Sequence, residues 1–264
     1  MMREYFDLER QIVHLVMDKS VMFEHSDFDI AKRLLRDNNY RNLVSCSKIK
    51  FAELIGNSMR MYRSADFKEW IEYFEMDRKV SKHLMSNLID LELTINSRVS
   101  HYVSELLESS RLSNFERNAI IQIVSQIRDR KETKFSIYNG KATWDYVPKM
   151  TFGEMKQLVF WLHGNKQETF FKLIDGYSFL RRNARSRFNE LNHLRNNLFH
   201  LTPLTIHLIH AKISKKGLKN MERRKVVRWI SNINSYQEVR NDFDEICFHS
   251  DKYIAIKNSL RNVD

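Results

Sequence analysis

A mainly α-helical bundle is the architecture this sequence predicts, and three observations predict it. Apolar residues recur at steps of three and four over long stretches, above all from Phe67 to Leu106. Strand-type alternation of Val, Ile and Thr never persists. With 6 Gly and 2 Pro in 264 residues, the chain has little of the punctuation that sheets, Gly-rich loops and flexible linkers need.

Each element has its own signal. Phe6, Ile12, Val13, Leu15 and Val16 mark a first short helix. Asp27 is placed to cap a second, which buries Phe28, Ile30, Ala31, Leu34 and Leu35 and ends at Asn38-Asn39. A third is expected over about 47–62. The longest pattern starts near Asp66 and runs past Leu107 through Trp70, Phe74, Val80, Leu84, Leu88, Leu91, Ile95, Val99 and Val103. It describes one or two long helices packed on neighbours. Another helix is expected over 113–130.

Residues 131–150, with Asn139-Gly140 and Pro148, are the clearest break. They separate an expected N-terminal lobe, 1–130, from a C-terminal lobe, 151–264, the two packed as one unit. Thr151 followed by Glu154 is a capping box, in which each side chain satisfies a free backbone donor of the first turn. Further helices are expected over about 166–180, 184–201, 221–234 and 236–260. Residues 202–214 come nearest to strand character and suggest a short hairpin arm.

Composition removes several functional classes. No glycine precedes Gly56 and no two lie close together, so P-loop and dinucleotide fingerprints are absent. Cys46 and Cys247 stand alone, without the spacing of a disulfide framework or a zinc site. His207 with His210, and Asp242 with Asp244 and Glu245, fall short of a ligand set at zinc spacing. Neither a metal nor another cofactor is expected. The first twenty residues are charged throughout, and no apolar run reaches the length of a membrane span. The expected setting is the cytoplasm, away from membranes.

Charge is concentrated. The chain carries a formal +11, and residues 181–230 hold all of that surplus: thirteen cations opposed by Glu190 and Glu222. Arg181, Arg182, Arg185, Arg187, Lys215, Lys216, Arg223, Arg224, Lys225 and Arg228 are the candidate contacts for a polyanion. The stretch lacks the bulky apolar stripe of an interfacial helix, which favours nucleic acid over anionic membrane.

Within this stretch, residues 190–200 read Glu-Leu-Asn-His-Leu-Arg-Asn-Asn-Leu-Phe-His. At about 100° per residue, Leu191, Leu194, Leu198 and Leu201 form a core stripe. Asn192, Arg195, Asn196, Phe199 and His200 fall on the opposite arc. Histidine moves protons near neutral pH, arginine holds a phosphate that gains charge, and asparagine orients either. Arg195, Asn196 and His200 therefore suit RNA cleavage, with the ribose 2′-OH as nucleophile. The spacing by itself is a weak signal, since an ordinary polar helix face would look the same.

Four segments resemble one family in order. LNHLRNNLFH is similar to the R-[ND]-x3-5-H signature of HEPN ribonucleases in the Abi (abortive infection) AbiD/AbiF-like setting. LLRDNNYRNLVS resembles the family's L…NYYRLSGY helix end. YFEMDRKVSKHLMSNLIDLELTINSRV resembles its long FDxxLRxLL helix, and MTFGEMKQLV its TFGE segment. The resemblance covers roughly residues 26–205. Ser45 stands where a glycine is usual, and Leu201-Thr202-Pro203-Leu204 replaces a Trp-Asn-Arg tail. The resemblance implies an all-α HEPN bundle with extra terminal helices, a homodimer and a composite ribonuclease site. It also implies anti-phage defence, with a structured noncoding RNA as a further partner in some relatives. The alternative reading is a non-catalytic module whose HEPN surface holds a regulatory RNA.

Overall fold

The computed structural model describes residues 7–38, 40–55, 59–109, 111–126, 150–209, 218–230 and 237–261. Among these the chain is predominantly helical, with a few short strands. Contacts divide it into two units: Met1–Met85 with Leu194–Asp264, and Ser86–His193. The division falls inside two helices rather than at residues 131–150, of which 131–149 lie outside the described residues.

The first unit opens with α1 (Leu8–Lys19), whose N-cap Asp7 accepts the Arg10 N–H at 2.8 Å. Val13 and Val16 of this helix are exposed, so its buried side is narrower than the sequence suggests. A two-residue β1 (Val21–Met22) pairs in parallel with β4 (Ala65–Asp66). Helix α2 spans Asp27–Asp37. Asp27 is its first residue rather than its cap, and its carboxylate accepts the Glu24 N–H instead. Helix α3 (Tyr40–Phe51) leads into an antiparallel hairpin, β2 (Ala52–Ile55) and β3 (Met59–Tyr62).

This hairpin corrects the expected helix over 47–62. Tertiary packing overrides the local period: Ile49 and Ala52 pack with Tyr253 and Ile256, and Arg60 donates to the Tyr253 hydroxyl. Those partners lie on α11 (Gln237–Arg261), about two hundred positions away in the chain. Helix α4 runs unbroken over Phe67–Glu108, and its first part closes the core of this unit. There Trp70 stacks on Phe51 at 5.2 Å between ring centroids, with Leu15, Leu43, Phe67 and Tyr73 buried around them. Apolar burial of this kind dominates the stability of the unit.

The second unit holds the rest of α4, where Leu88, Leu91, Ile95, Val99 and Val103 are all buried. Helices α5 (Asn114–Gln126), α6 (Phe152–Asn165) and α7 (Gln167–Leu173) follow. Ser178–Leu180 form a single 3-10 turn, so the helix expected over 166–180 is broken. The Thr151–Glu154 capping box is formed in both directions at the start of α6. Gly153 lets α6 approach α8 (Ala184–Phe199) closely: a Cβ there would lie 3.3 Å from Asn192 Oδ1.

Helix α8 passes back into the first unit, which is completed by α9 (Leu204–Ile209), α10 (Leu218–Ile230) and α11. The expected hairpin arm over 202–214 is therefore a short helix from Leu204 to Ile209, and 210–214 lie outside the described residues. Helix α9 touches α3, α10 and α11, and Leu204–Leu208 are all buried. Surrounding contacts, not intrinsic propensity, decide its conformation.

Truncating Trp70 to Ala should destabilise the protein by about 3–5 kcal/mol. Thr151→Ala should cost only about 1 kcal/mol. Denaturant unfolding of both variants checks the ranking.

Candidate functional site

The three candidate side chains sit at the C-terminal end of α8. Leu191, Leu194 and Leu198 are buried, as the helical period requires, and they fix the face that turns outward. Arg195 is half-buried, its guanidinium 4.2 Å from the centroid of the Phe199 ring. That stacking holds the long side chain against an aromatic face. Asn196 and His200 are exposed.

The helix ends where the sequence places its fourth core leucine. Leu201 is 76% exposed, and its φ of 55° lies in the left-handed region. The Leu201 N–H bonds the Leu198 carbonyl and the Thr202 N–H bonds the Asn197 carbonyl, each at 2.9 Å. This pair is a Schellman closure with Leu201 where glycine is usual. A side chain there costs about 1–2 kcal/mol. Asn42 of α3 steadies the turn by donating to the Leu201 carbonyl at 2.9 Å.

Immediately after the turn, Asp77 of α4 takes hold of α9. Its carboxylate accepts the Leu204 N–H at 2.9 Å, the Thr205 N–H at 2.7 Å and the Thr205 hydroxyl at 2.5 Å. Ser81 donates to it at 3.2 Å. The first N–H groups of a helix have no partner within the helix, and at a buried helix end they must find one elsewhere. Here the partner is a carboxylate 127 positions earlier. Desolvation raises the Asp77 pKa, while the bonds from Thr205, Leu204 and Ser81 act in the opposite direction.

A cavity of about 540 Å³ opens beside this clamp, entirely within the first unit. The end of α2 contributes Asp37 and Asn38, α3 contributes Asn42, and α4 contributes Arg78 and Lys82. His200 through Pro203 form a further wall, and Phe74, Met85 and Leu198 add apolar lining beside Asp77 and Ser81. Arg78 pairs with Glu75 at 3.1 Å and lies over the Phe74 ring. The side chains of Lys82, Asp37 and His200 have no bonding partner among the described residues.

The basic candidates separate on folding. Arg181, Arg182 and Arg185 belong to the second unit and are exposed, with Arg181 over Phe171 and Arg185 over Phe160. Arg187 is buried and donates to the Phe179 carbonyl, which removes it from any polyanion-binding surface. In the first unit Arg223 donates to the His207 carbonyl at 2.7 Å. Arg224 pairs with Asp251, and Arg228 with Asp244 at 2.7 Å. Lys225 is exposed. Lys215 and Lys216 lie outside the described residues.

His207 is buried, its Nδ1 2.6 Å from the Asn197 amide nitrogen. Both cysteines are buried and free, and burial pushes Cys247 up to about 12, so neither offers a ready thiolate. Asp77, Arg78, Lys82, Asp37 and Asn42 are the residues that sequence reasoning missed at this site. Asp77 had one visible signal, a carboxylate on the apolar stripe between Phe74 and Val80. Searches against family models, curated proteins and solved structures return no match to this chain.

Asp77→Asn keeps the volume but turns an NH2 group toward backbone donors, and should cost about 1–3 kcal/mol at neutral pH. Because the native Asp77 pKa is raised, the folded chain holds this proton to higher pH than the unfolded chain. Its stabilising contribution is fully present below the ordinary value of 3.8 and is lost as pH rises through the folded value. Urea titrations of wild type and Asp77→Asn across the acid range should show that slope in the wild type alone. Leu201→Gly should raise stability by up to about 1 kcal/mol, through relief of the left-handed strain; thermal unfolding reads it.

Proposed function

We propose that this chain is a metal-independent HEPN endoribonuclease of an abortive-infection defence system, acting on RNA as a homodimer in the cytoplasm. The observation that carries the reading is the end of α8. Within its last turn Arg195 rests on Phe199, and Asn196 and His200 are exposed above three buried leucines.

The chemistry follows from the groups present. The 2′-oxygen of one ribose attacks the adjacent phosphorus, and its proton passes to an imidazole. The bond from phosphorus to the 5′-oxygen breaks, and that oxygen takes a proton from a second imidazole. The products are a 2′,3′-cyclic phosphate and a 5′-hydroxyl. One chain supplies one His200, so a second copy supplies the other proton-transfer group. Arg195 stabilises the five-coordinate phosphoryl group, whose charge exceeds that of the starting diester. Asn196 orients the phosphate. Arg181, Arg182, Arg185 and Lys225 add sequence-independent attraction for the RNA backbone, and a structured noncoding RNA belongs to the same proposal as a further partner.

The test is cleavage of RNA by the purified protein. His200→Ala should lower the rate about 10²–10⁴-fold. Arg195→Ala should lower it about 10²–10³-fold. Both variants should retain RNA binding, a 2′-deoxy substitution at the cut position should block cleavage, and EDTA should leave it unchanged. RNA bound without cleavage, by wild type and variants alike, would instead identify a non-catalytic RNA-holding module.

A further inference from the structure

The cavity beside His200 combines features that the α8 side chains alone do not explain. Its volume of about 540 Å³ lies within the range of about 300–1,000 Å³ usual for small-ligand sites. Arg78 and Lys82 bring positive charge along one face of α4, and Asp37 brings negative charge from the end of α2. Leu201 and its neighbours in the turn add apolar surface. A simple anion would have no use for Asp37, and a simple cation none for Arg78 and Lys82. A ligand with a phosphate at one end and a flat polar-edged ring at the other uses all of them.

We infer that this cavity holds the nucleotide whose 2′-OH attacks, and that Asp37 makes it prefer guanosine. This rests on the ribonuclease reading, since it places His200 beside that ribose. The choice of base follows from donor geometry. Guanine presents adjacent N1–H and N2–H donors, which match the two oxygens of a carboxylate. Adenine and cytosine place an acceptor beside their amino group, and uracil flanks its single N–H with two carbonyls. A carboxylate repels those acceptors. Asn42 lines the same cavity with one amide N–H held by the Leu201 carbonyl, and its side-chain oxygen adds a second acceptor for a base that presents donors. The backbone phosphate lies toward Lys82 and Arg78, whose exposed pairing with Glu75 is weak enough to yield.

The experiment is calorimetric titration of the full-length protein with guanosine, adenosine, cytidine and uridine 3′-monophosphates. Guanosine 3′-monophosphate should bind about 10-fold or more tightly than the others, the range of one good bidentate pair. Asp37→Asn should erase that preference, whereas Lys82→Ala should weaken all four nucleotides alike. In a parallel cleavage assay, the fragments with cyclic phosphate ends should terminate in G. Failure of all four nucleotides to bind, or equal binding that Asp37→Asn leaves unchanged, overturns the inference. The two readings fail separately. Cleavage without nucleotide binding removes the subsite and keeps the nuclease, while Asp37-dependent guanosine binding without cleavage keeps the base selection and removes both the nuclease and the attacking role of that nucleotide.

Discussion

A buried carboxylate at the start of a buried helix is the constraint on which the candidate site depends. Helix α9 is six residues long and packed on several sides. So short a segment is marginal alone, and its first N–H groups lie where water cannot reach them. Asp77 supplies the missing acceptors from the first third of α4. The same side chain therefore ties the long helix to the segment after α8. The turn that carries His200 and Leu201 lies between Asn42 on one side and this clamp on the other. An unpaired carboxylate inside a protein would be costly, and four donors at close range offset that cost.

The turn itself is strained rather than relaxed. A leucine at positive φ with most of its side chain in water gains little from its own packing. Its neighbours hold it: two backbone bonds close the helix, and Asn42 fixes the carbonyl. Strain of this type persists only where surrounding structure over-determines the backbone, and it tends to gather at sites that bind or react. The result is an exposed histidine at the helix end, with a cavity beside it and Leu201 turned into solvent rather than packed in the core.

Much of this was legible in the chain. The leucine stripe of α8, the unbroken period of α4 and the Thr151–Glu154 box are local patterns, and each formed as its spacing requires. What could not be read depends on distant partners. Residues 47–62 carry an acceptable helical period, yet the hairpin there forms because α11 lies against it. Residues 202–209 alternate like a strand, yet Leu204–Ile209 are helical, with Asp77 accepting from the first N–H groups. Leu201 fits the stripe by angle but falls one step beyond the point where the helix closes.

The basic stretch shows the same boundary between what is local and what is not. The sequence alone determined that all the net charge lies in residues 181–230, that α8 has an apolar and a polar face, and that Arg195, Asn196 and His200 share the polar one. Charge count and helical period are properties of neighbouring residues, so no fold is needed to establish them. Only the tertiary structure decided that Arg187 is buried, that Arg223, Arg224 and Arg228 are engaged at home, and that the stretch divides between two units. It alone brought Asp37, Asn42, Arg78 and Lys82 to one cavity with His200. Those residues come from α2, α3 and α4, and only the closing of the core places side chains so far apart in the chain around a common space.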